Sequence, residues 1–467
     1  MQCSILIKNG FKPWVIPAVT VAAVWLCSFS SGQATTNLDE YVQLGLRQNL
    51  SLQQQELTVT RANEAAKEAR GLLLPSLSVD TRYSDISGNS LDFGDLINPV
   101  YSTLNQITGQ NRFPTDLSLK LPYKQETSLR LTEPIFQPRA VYNFRMRRDL
   151  RNAEQAQLEA SARNLAAEIK TAYLNFAKSV RVVELYTQTL DLLQENLRVS
   201  QKLVDNQKAT LDVLYRARAE LSDVQQKLAE AELQRSNAAR YFNFLLNRSF
   251  DDVIQLDPDS VIGAVAMPSR DSVIRTGLEQ REELRQIDDG IRASADNIKI
   301  NSSAWLPSVA LAVDYGFQGQ DYRFTGSNDV TTVSLVAQWN LFNGGQDASR
   351  RRQAVLDRDR LSLQKDELYR QIELQIRQAY DAALVAQQAE GTARDRLQSA
   401  KRSFDLVSRK FSEGMASQVE FLDARTNFTS SGINEILTTY DFVQKYVQLE
   451  RAAALFEVPA EITRTNR

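Results

Sequence analysis

The sequence of 467 residues predicts a mostly helical fold with two pairs of β-strands, organised as one unit that occurs twice. Three observations lead to this prediction. The chain shows internal similarity at nearly constant offsets, short segments in which apolar and polar residues alternate, and long segments with an apolar residue at every seventh position. Each unit is expected to run helix, strand, strand, long helix, turn and returning helix.

Internal similarity links the two halves of the chain. Two segments of the first half recur 232 residues later, and two others recur 206 or 207 residues later. The four pairs are 46–52 with 278–284, 74–77 with 306–309, 134–136 with 340–342, and 169–173 with 376–380. A change of about 25 residues confined to one loop is expected for a duplicated unit that carries a single long insertion.

Composition excludes several classes of function. The chain has no histidine and two cysteines, Cys3 and Cys27, both near its N-terminus. Without these residue types, the rest of the chain cannot form a disulfide, a histidine-based triad or the usual zinc sites. Lys and Arg total 55 and Asp and Glu total 57, so the chain has no net basic field to hold nucleic acid. We therefore expect no enzyme, no cofactor or metal, and no nucleic-acid partner.

The N-terminal residues 1–34 predict a cleaved secretory signal peptide. Lys8 and Lys12 form a positive region, 15–29 is apolar, and small residues end the segment near Ala34. A membrane anchor would need roughly 20 apolar residues, more than this segment has. A lipoprotein acylated at Cys27 is a poorer alternative, since small residues do not precede that cysteine. The mature protein is therefore expected to be exported.

Each unit begins with a helix, predicted over about 37–73 and 271–304. Both helices end just before a proline, Pro75 or Pro307, because the residue before proline disfavours helical geometry. Two strands follow in each unit, at 76–84 and 127–136 in the first and at 309–317 and 333–341 in the second.

Apolar and polar residues alternate along these strands, so each strand has one apolar and one polar face. Segments of about 9–10 residues with this period suit a membrane barrel, but a soluble sandwich produces the same alternation, and the pattern alone leaves both open. The connecting loops, 86–124 and about 318–330, are polar, and long loops at one end of a barrel face the exterior. Aromatic residues near the strand ends are candidates for a membrane girdle: Tyr83, Tyr123, Tyr315, Phe317 and Trp339.

The longest predicted helices cover 139–204 and 346–411. An apolar residue at every seventh position, from Ala162 to Val204 and from Ile372 to Val407, predicts left-handed coiled-coil packing. After short breaks at 205–208 and 412–415, returning helices reach about 247 and 458. The sequence therefore predicts two long helical hairpins.

The predicted organisation is a first repeat at 35–247, a linker at 248–270, a second repeat at 271–459 and a C-terminal tail at 460–467. Its four strands are too few to close a barrel, for which about eight are the practical minimum. Copies of the chain must therefore associate, and symmetric rings are the usual solution. Three copies would supply twelve strands and twelve helical arms.

Several short motifs resemble those of the TolC-type outer-membrane efflux proteins, also called outer membrane factors. The most specific is Trp-Asn-Leu-Phe-Asn-Gly-Gly at 339–345, with a weaker counterpart, Glu-Pro-Ile-Phe, at 133–136. The segments 411–417 and 420–424 are similar to the family's periplasmic helix turn, and 210–214 is similar to its first-repeat equivalent. The resemblance covers the mature chain to about Pro459.

The resemblance implies a homotrimer with a twelve-stranded barrel in the outer membrane and a twelve-helix coiled-coil tunnel across the periplasm. The fold class is then all-α with a membrane β-barrel (α+β). Its expected role is a passive exit duct of an efflux or type I secretion system, opened at the tip by an adaptor protein coupled to an inner-membrane pump or ABC exporter. The alternative is a structural or adhesive coiled-coil surface protein. The sequence does not indicate the cargo.

Carboxylates near the predicted turns are candidates for a pore constriction. Glu420 and Asp423 lie three residues apart and share a helix face, and Asp212 is the first-repeat candidate. By resemblance this face lines the narrow end of the tunnel, where a trimer would gather six carboxylates that select cations. An ordinary solvated helix face is the alternative interpretation.

The exposed periplasmic turns are candidates for adaptor docking. The candidate residues are Asn206, Lys208, Ala209, Gly414, Met415 and Ser417. Family members often have a Tyr and an Arg near the second turn that link neighbouring helices. This chain has Phe411 and Ala416 there, so closure is expected to use packing or other charges.

Overall fold

A computed structural model describes residues 37–85, 91–118, 120–121, 123–257, 266–321, 324 and 328–459. The predicted signal peptide and C-terminal tail lie outside the described residues, as does the middle of the predicted linker.

The same order of elements occurs in both halves of the chain, and the first half has β2, α3 and β3 in addition. The first half comprises α1 (Asn37–Gln48), α2 (Leu50–Gly71), β1 (Ser76–Tyr83), β2 (Leu91–Asp92), α3 (Gly94–Thr108), β3 (Lys120–Leu121), β4 (Gln125–Phe136), α4 (Pro138–Asp205) and α5 (Leu211–Leu245). The second comprises α6 (Arg270–Gln280), α7 (Glu282–Ser302), a 3-10 turn (Ser303–Trp305), β5 (Ser308–Gly319), β6 (Asp329–Gln338), α8 (Gln346–Ser412) and α9 (Gln418–Ala452).

The initial helix of each half is broken, where the sequence predicts one continuous helix. In the first half Asn49 ends α1, and its side-chain oxygen accepts hydrogen bonds from the backbone N–H groups of Ser51 (3.0 Å) and Leu52 (3.2 Å). This N-cap satisfies donors that a new helix leaves free. In the second half Arg281 has extended backbone geometry (φ −61°, ψ 125°) between α6 and α7.

Both breaks bind the end of a returning helix. The Asn49 amide donates to the carbonyl of Leu245 at the end of α5 (2.9 Å), and the Arg281 guanidinium donates to the carbonyl of Ala452 at the end of α9 (2.9 Å). The helices α2 and α5 therefore meet end to end beside α4, as α7 and α9 do beside α8. We call this level, defined by Asn49, Leu245, Arg281 and Ala452, the junction.

Two glycines allow close helix packing beside the junction. A Cβ atom on Gly45 of α1 would lie 2.3 Å from the Ile169 side chain of α4, and one on Gly277 of α6 would lie 2.4 Å from Ile376 of α8. Both isoleucines are fully buried. A side chain at either glycine would displace an isoleucine from the core. The two halves therefore share one feature, a glycine that lets the first helix pack closely on the long helix.

The loop at 86–124 contains more structure than the sequence predicts. Within it, α3 runs for 15 residues, and β2 and β3 pair antiparallel on either side of it. Polar side chains of this loop bind its own backbone. Asp92 accepts a hydrogen bond from the N–H of Gly94 at the start of α3 (2.9 Å), and Asn105 of α3 binds the backbone of Phe113 (2.6 and 2.9 Å). Such local bonds explain why a loop-like composition accommodates a helix.

Four strands form one antiparallel sheet in the order β1-β4-β5-β6. The central pair, β4 and β5, joins the two halves of the chain, with Leu131 opposite Val313 and Thr127 opposite Phe317. The strands β1 and β6 are the edges of this sheet. Since β6 ends at Gln338, Trp339 lies just after the strand rather than within it.

The long helices extend away from the sheet. α4 has 68 residues and α8 has 67, which corresponds to about 100 Å each. Of the seven-residue positions predicted, Ala162, Ile169 and Val183 in α4 and Ile372, Ala386, Ala393 and Ala400 in α8 are buried, and the others are half-buried. Small residues predominate in the buried seam of α8: Ala383, Ala386, Ala393 and Ala400. The heptad prediction therefore identifies the packed faces.

Hydrophobic side chains are buried mainly beside the junction. One cluster lies among α1, α2, α4 and α5, and a second among α6, α7, α8 and α9. A third, with Leu174, Ala386 and Tyr440, joins the two halves. Among the described residues, no helix has the length and apolar character needed to cross a membrane.

Candidate functional site

One face of the sheet is apolar and exposed. The strands contribute Leu77, Val79, Leu129, Leu131, Val309, Leu311, Val313, Val333 and Leu335, which the cross-strand register aligns on one side. Leu77 is 65% exposed and Leu335 is 70% exposed, so the chain itself does not cover this face. A contiguous apolar surface of this kind suits contact with lipid rather than water.

The opposite face of the sheet is charged. Arg130 on β4 donates to Asp314 on β5 (2.6 Å) and lies 3.6 Å from Asp80 on β1. Arg82 and Glu126 form a further cross-strand pair at 2.8 Å. A charged face opposite an apolar one is the arrangement of a membrane barrel with a water-filled lumen. The structure therefore favours the barrel over the soluble sandwich, whose apolar face would be buried.

The predicted girdle aromatics lie at both ends of the sheet. Tyr83 ends β1, Tyr123 precedes β4, and Tyr315 and Phe317 are near the same rim, with their rings 5.9 Å apart. Trp339 lies at the opposite rim, where its indole N–H donates to the carbonyl of Trp305 (3.1 Å).

Two aromatics at the helical rim were missed by the sequence prediction. Trp305 is 51% exposed and precedes β5, and Phe342 is 85% exposed and lies between β6 and the long helix α8. The signal was present, because Trp305 directly precedes Leu306-Pro307 and Phe342 belongs to the same motif as Trp339.

The far ends of the two hairpins form the helical tip. The first turn joins α4 to α5 and places Gln207 at φ 55°, and the second joins α8 to α9 and places Gly414 at φ 75°. Glycine adopts this left-handed geometry without strain. Of the predicted docking residues, all are exposed except Ala209, which is half-buried; the exposed ones are Asn206, Lys208, Gly414, Met415 and Ser417.

The predicted constriction residues lie in the first turns of α5 and α9. Glu420 accepts hydrogen bonds from the backbone N–H (2.7 Å) and hydroxyl (3.0 Å) of Ser417, and these bonds hold the pKa of Glu420 below its usual value. Ser417 in turn accepts from the Glu420 N–H, which completes a capping box. Asp423 is exposed, and Asp212 accepts a hydrogen bond from the Thr210 hydroxyl. Glu420 thus has a local structural role besides any role in a pore.

Side chains between the hairpins hold the two turns together. The Gln418 amide donates to the Ser200 hydroxyl (3.3 Å) and to the Val213 carbonyl (3.1 Å). About two helical turns further on, Arg425 of α9 forms an ion pair with Glu220 of α5, and the Arg425 side chain is 3% exposed. The sequence prediction missed these links, since 205 residues separate Arg425 from Glu220 and no local pattern connects them.

An aromatic cluster occupies the position where the family often has a polar latch. Phe411 stacks on Phe421 with ring centroids 4.8 Å apart, and Phe404 lies 5.7 Å from Phe421 and 5.5 Å from Phe428. These residues join α8 to α9 within one hairpin. The second hairpin is therefore held together by aromatic packing, whereas Gln418 and Arg425 provide polar links between the hairpins.

Charged side chains at the junction are paired and buried. Arg163 of α4 donates to Glu282 of α7 (2.7 Å) and to the backbone carbonyl of Phe456. Burial would raise the pKa of Glu283, but hydrogen bonds from Arg281 and Arg451 outweigh it and lower that pKa to about 2. These carboxylates serve as ion-pair partners between helices.

The chain thus combines a sheet that has one apolar and one charged face with two long helical hairpins. Solved structures share this fold. One of them is the CmeC outer membrane channel of Campylobacter jejuni, which is 18% identical to this chain in sequence and has a TM-score of 0.71. The similarity covers 89% of this chain and 85% of that chain. The open state of the MtrE outer membrane channel of Neisseria gonorrhoeae has 16% identity and a TM-score of 0.71, with 89% and 88% covered.

A membrane protein from Pseudomonas aeruginosa is similar over 95% of this chain and 99% of its own, with 19% identity and a TM-score of 0.73. No relative is found among curated protein sequences. Residues 273–455 match the outer membrane efflux protein family. The match covers most of the second half, and the fold of the whole chain is similar to that of the solved outer-membrane channels. The resemblance noted from the sequence is confirmed.

Proposed function

We propose that three copies of this chain form an outer-membrane exit duct that crosses the periplasm. The observation that carries the proposal is the four-stranded sheet with an exposed apolar face and two edges, β1 and β6. Strands at a sheet edge leave backbone groups unpaired, and lipid cannot satisfy them. Pairing β1 of one copy with β6 of the next closes a twelve-stranded barrel and gathers twelve helices below it.

In this assembly the rim aromatics mark the two membrane surfaces. Tyr83, Tyr123, Tyr315 and Phe317 lie at the outer surface, and Trp339 with Trp305 lies at the periplasmic surface. Aromatic side chains favour such positions because one end of the ring system is apolar and the other reaches polar groups.

The helical tip is the proposed docking site for a periplasmic adaptor coupled to an inner-membrane pump or secretion ATPase. Its exposed turn residues, Asn206, Lys208, Gly414, Met415 and Ser417, and the adjacent Ala209 form the outermost surface of the hairpins. Opening then requires the hairpins to separate, and the contacts that resist separation are those of Gln418 and the Arg425–Glu220 pair.

The proposed constriction is a ring of carboxylates at this tip. Glu420 and Asp423 lie on the first turns of α9, which the Gln418–Val213 contact places beside the first turn of α5 with Asp212. In a trimer the pair on α9 supplies six carboxylates around one axis. Their negative field favours the passage of cations over anions.

Detergent-solubilised protein tests the duct directly. Light scattering that corrects for bound detergent is expected to give three chains per particle, and planar bilayers are expected to show discrete conductance steps. A monomer without conductance would overturn the proposal. As a matched comparison, Arg130→Ala removes one positive charge from the lumen face, where Asp80 and Asp314 remain, and leaves the apolar face intact. This variant is expected to remain trimeric and to show altered ion selectivity.

A further inference from the structure

The helix α3 lies in the loop between β1 and β4, and one of its faces is fixed to its own chain. The Asn98 side chain donates to the Leu117 carbonyl (2.8 Å) and accepts from the Leu117 N–H (3.0 Å). Asn105 makes the same pair of bonds with Phe113, at 2.6 and 2.9 Å. The segment that follows α3 therefore runs back along it.

Two further contacts complete this fixed face. A Cβ atom on Gly94 would lie 1.9 Å from the Leu117 carbonyl oxygen, so the backbones approach too closely for any side chain there. Tyr101 packs on Phe113 with ring centroids 5.4 Å apart. Gly94, Asn98, Tyr101 and Asn105 follow a spacing of four, three and four residues, which places them on one helix face.

The opposite face of α3 carries an apolar stripe. Leu96, Val100 and Ile107, with Thr103 between them, follow the same four-three-four spacing about half a turn away from the fixed face. Leu96 is 74% exposed, Val100 is 55% exposed and Ile107 is 76% exposed. The loop thus holds α3 so that this apolar stripe points away from the rest of the chain.

Charge argues against the lipid surface as the occupant of this stripe. Helices that lie in a membrane interface are typically rich in Lys and Arg on their polar face. The polar residues of α3 include Asp95 and no Lys or Arg. A narrow stripe at heptad-like spacing is instead typical of a seam between helices.

The position of α3 favours a second copy of the same chain. Its loop leaves the sheet from β1, an edge strand, which in the trimer lies against the neighbouring copy. Three copies related by one axis place three α3 helices at the outer rim of one barrel.

We infer that α3 of each copy packs on α3 of its neighbours through Leu96, Val100 and Ile107 and so narrows the outer mouth of the duct. This inference rests on the proposed trimer. The long insertion of the first half, the loop that contains α3, would then form an outer constriction of the duct. This constriction lies at the opposite end of the duct from the helical tip, and the second half has no equivalent of it.

Cysteine crosslinking on the full-length trimer tests the contact. Val100→Cys places a thiol on the stripe, and Gln106→Cys places one on an exposed position of the same helix about a third of a turn away. Thiols that face each other within one helix bundle have an effective concentration in the millimolar range. We therefore expect about tenfold more disulfide-linked dimer from Val100→Cys than from Gln106→Cys. The unsubstituted chain gives the background.

A conductance measurement tests the effect on the mouth. Leu96→Asp with Ile107→Asp is expected to keep the trimer, abolish the Val100→Cys crosslink and increase single-channel conductance. Equal crosslinking at Val100 and Gln106 in an intact, conducting trimer would overturn the inference and leave the duct standing. Quenching of a fluorophore on Val100→Cys by lipid-attached nitroxide would identify lipid as the occupant and also overturn it. Absence of a trimer in the unsubstituted protein would overturn both proposals.

Discussion

The junction and the helical tip are two of the levels at which the halves of the chain contact each other, and they differ in the contacts that they use. At the junction, Arg163 of the first half pairs with Glu282 of the second, and both are buried. Within each half, Asn49 or Arg281 binds the end of the returning helix. At the tip, Arg425 is buried but its partner Glu220 is 30% exposed. From this difference in burial we expect the contact at the junction to be permanent and the contact at the tip to be releasable.

Burial decides the cost of breaking each joint. Removing one partner of a fully buried ion pair leaves an uncompensated charge that water cannot reach. When the remaining partner is partly exposed, as Glu220 is, water solvates it.

Arg163→Ala is expected to lower the free energy of unfolding by about 3–5 kcal/mol, because it leaves Glu282 buried without its partner. Urea or thermal unfolding of the detergent-solubilised protein, followed by circular dichroism, measures it. Arg198→Ala is the matched control, since Arg198 pairs with Glu195 on the exposed surface of α4, and little change is expected there. Equal losses in the two variants would contradict the contrast.

Glu283 is expected to make the stability of the junction depend on acid. Its pKa is lowered to about 2 in the folded protein, so its contribution is fully present above the ordinary value of 4.5 and is lost as the pH falls through 2. The difference in unfolding free energy between the unsubstituted protein and Glu283→Gln should therefore shrink between about pH 5 and pH 2. A difference that stays constant over this range would refute the assignment.

Arg425→Met is expected to have a small effect on stability and a larger one on conductance. The substitution removes the ion pair between α9 and α5 but retains a long apolar side chain, so the tip should open more often. Single-channel recording in a planar bilayer measures the open fraction. Arg409→Met, on the exposed surface of α8 near the same tip, is the control and should leave the open fraction unchanged.

Glu420→Gln with Asp423→Asn is expected to reduce the preference for cations without loss of stability. Glutamine retains the capping box with Ser417, which alanine would destroy, so the charge is tested apart from the fold. The reversal potential in a salt gradient measures selectivity. Glu413→Gln, in the exposed turn, is the matched control. Unchanged selectivity in the double variant would leave these carboxylates as a solvated helix face.

Repeating local patterns predict much of this fold. The heptads in α4 and α8 predict both helices to within one residue at each end, and period-two alternation identifies the exposed apolar face of the sheet. The breaks at Asn49 and Arg281 were missed because the residues on both sides favour helix, and the break depends on contacts with Leu245 and Ala452 far along the chain.

The candidate site was less accessible to prediction. The turns of the hairpins follow from the ends of the heptads, so the tip was located correctly. The contacts of Gln418 and Arg425 depend on how two hairpins align side by side, which no spacing within either hairpin specifies. The helix α3 was missed because Asn98 and Asn105 are typical loop residues until the segment they bind is known.

The two faces of the sheet also constrain the order of events before the duct exists. A single chain in water exposes the apolar face, and a single chain in lipid exposes the charged face and the edges of β1 and β6. Neither solvent suits one copy, so for the proposed trimer we expect insertion into the membrane to be coupled to assembly. The rate at which ducts appear should then rise more steeply than in proportion to the amount of chain delivered, and surplus chains should accumulate as substrates for periplasmic proteolysis.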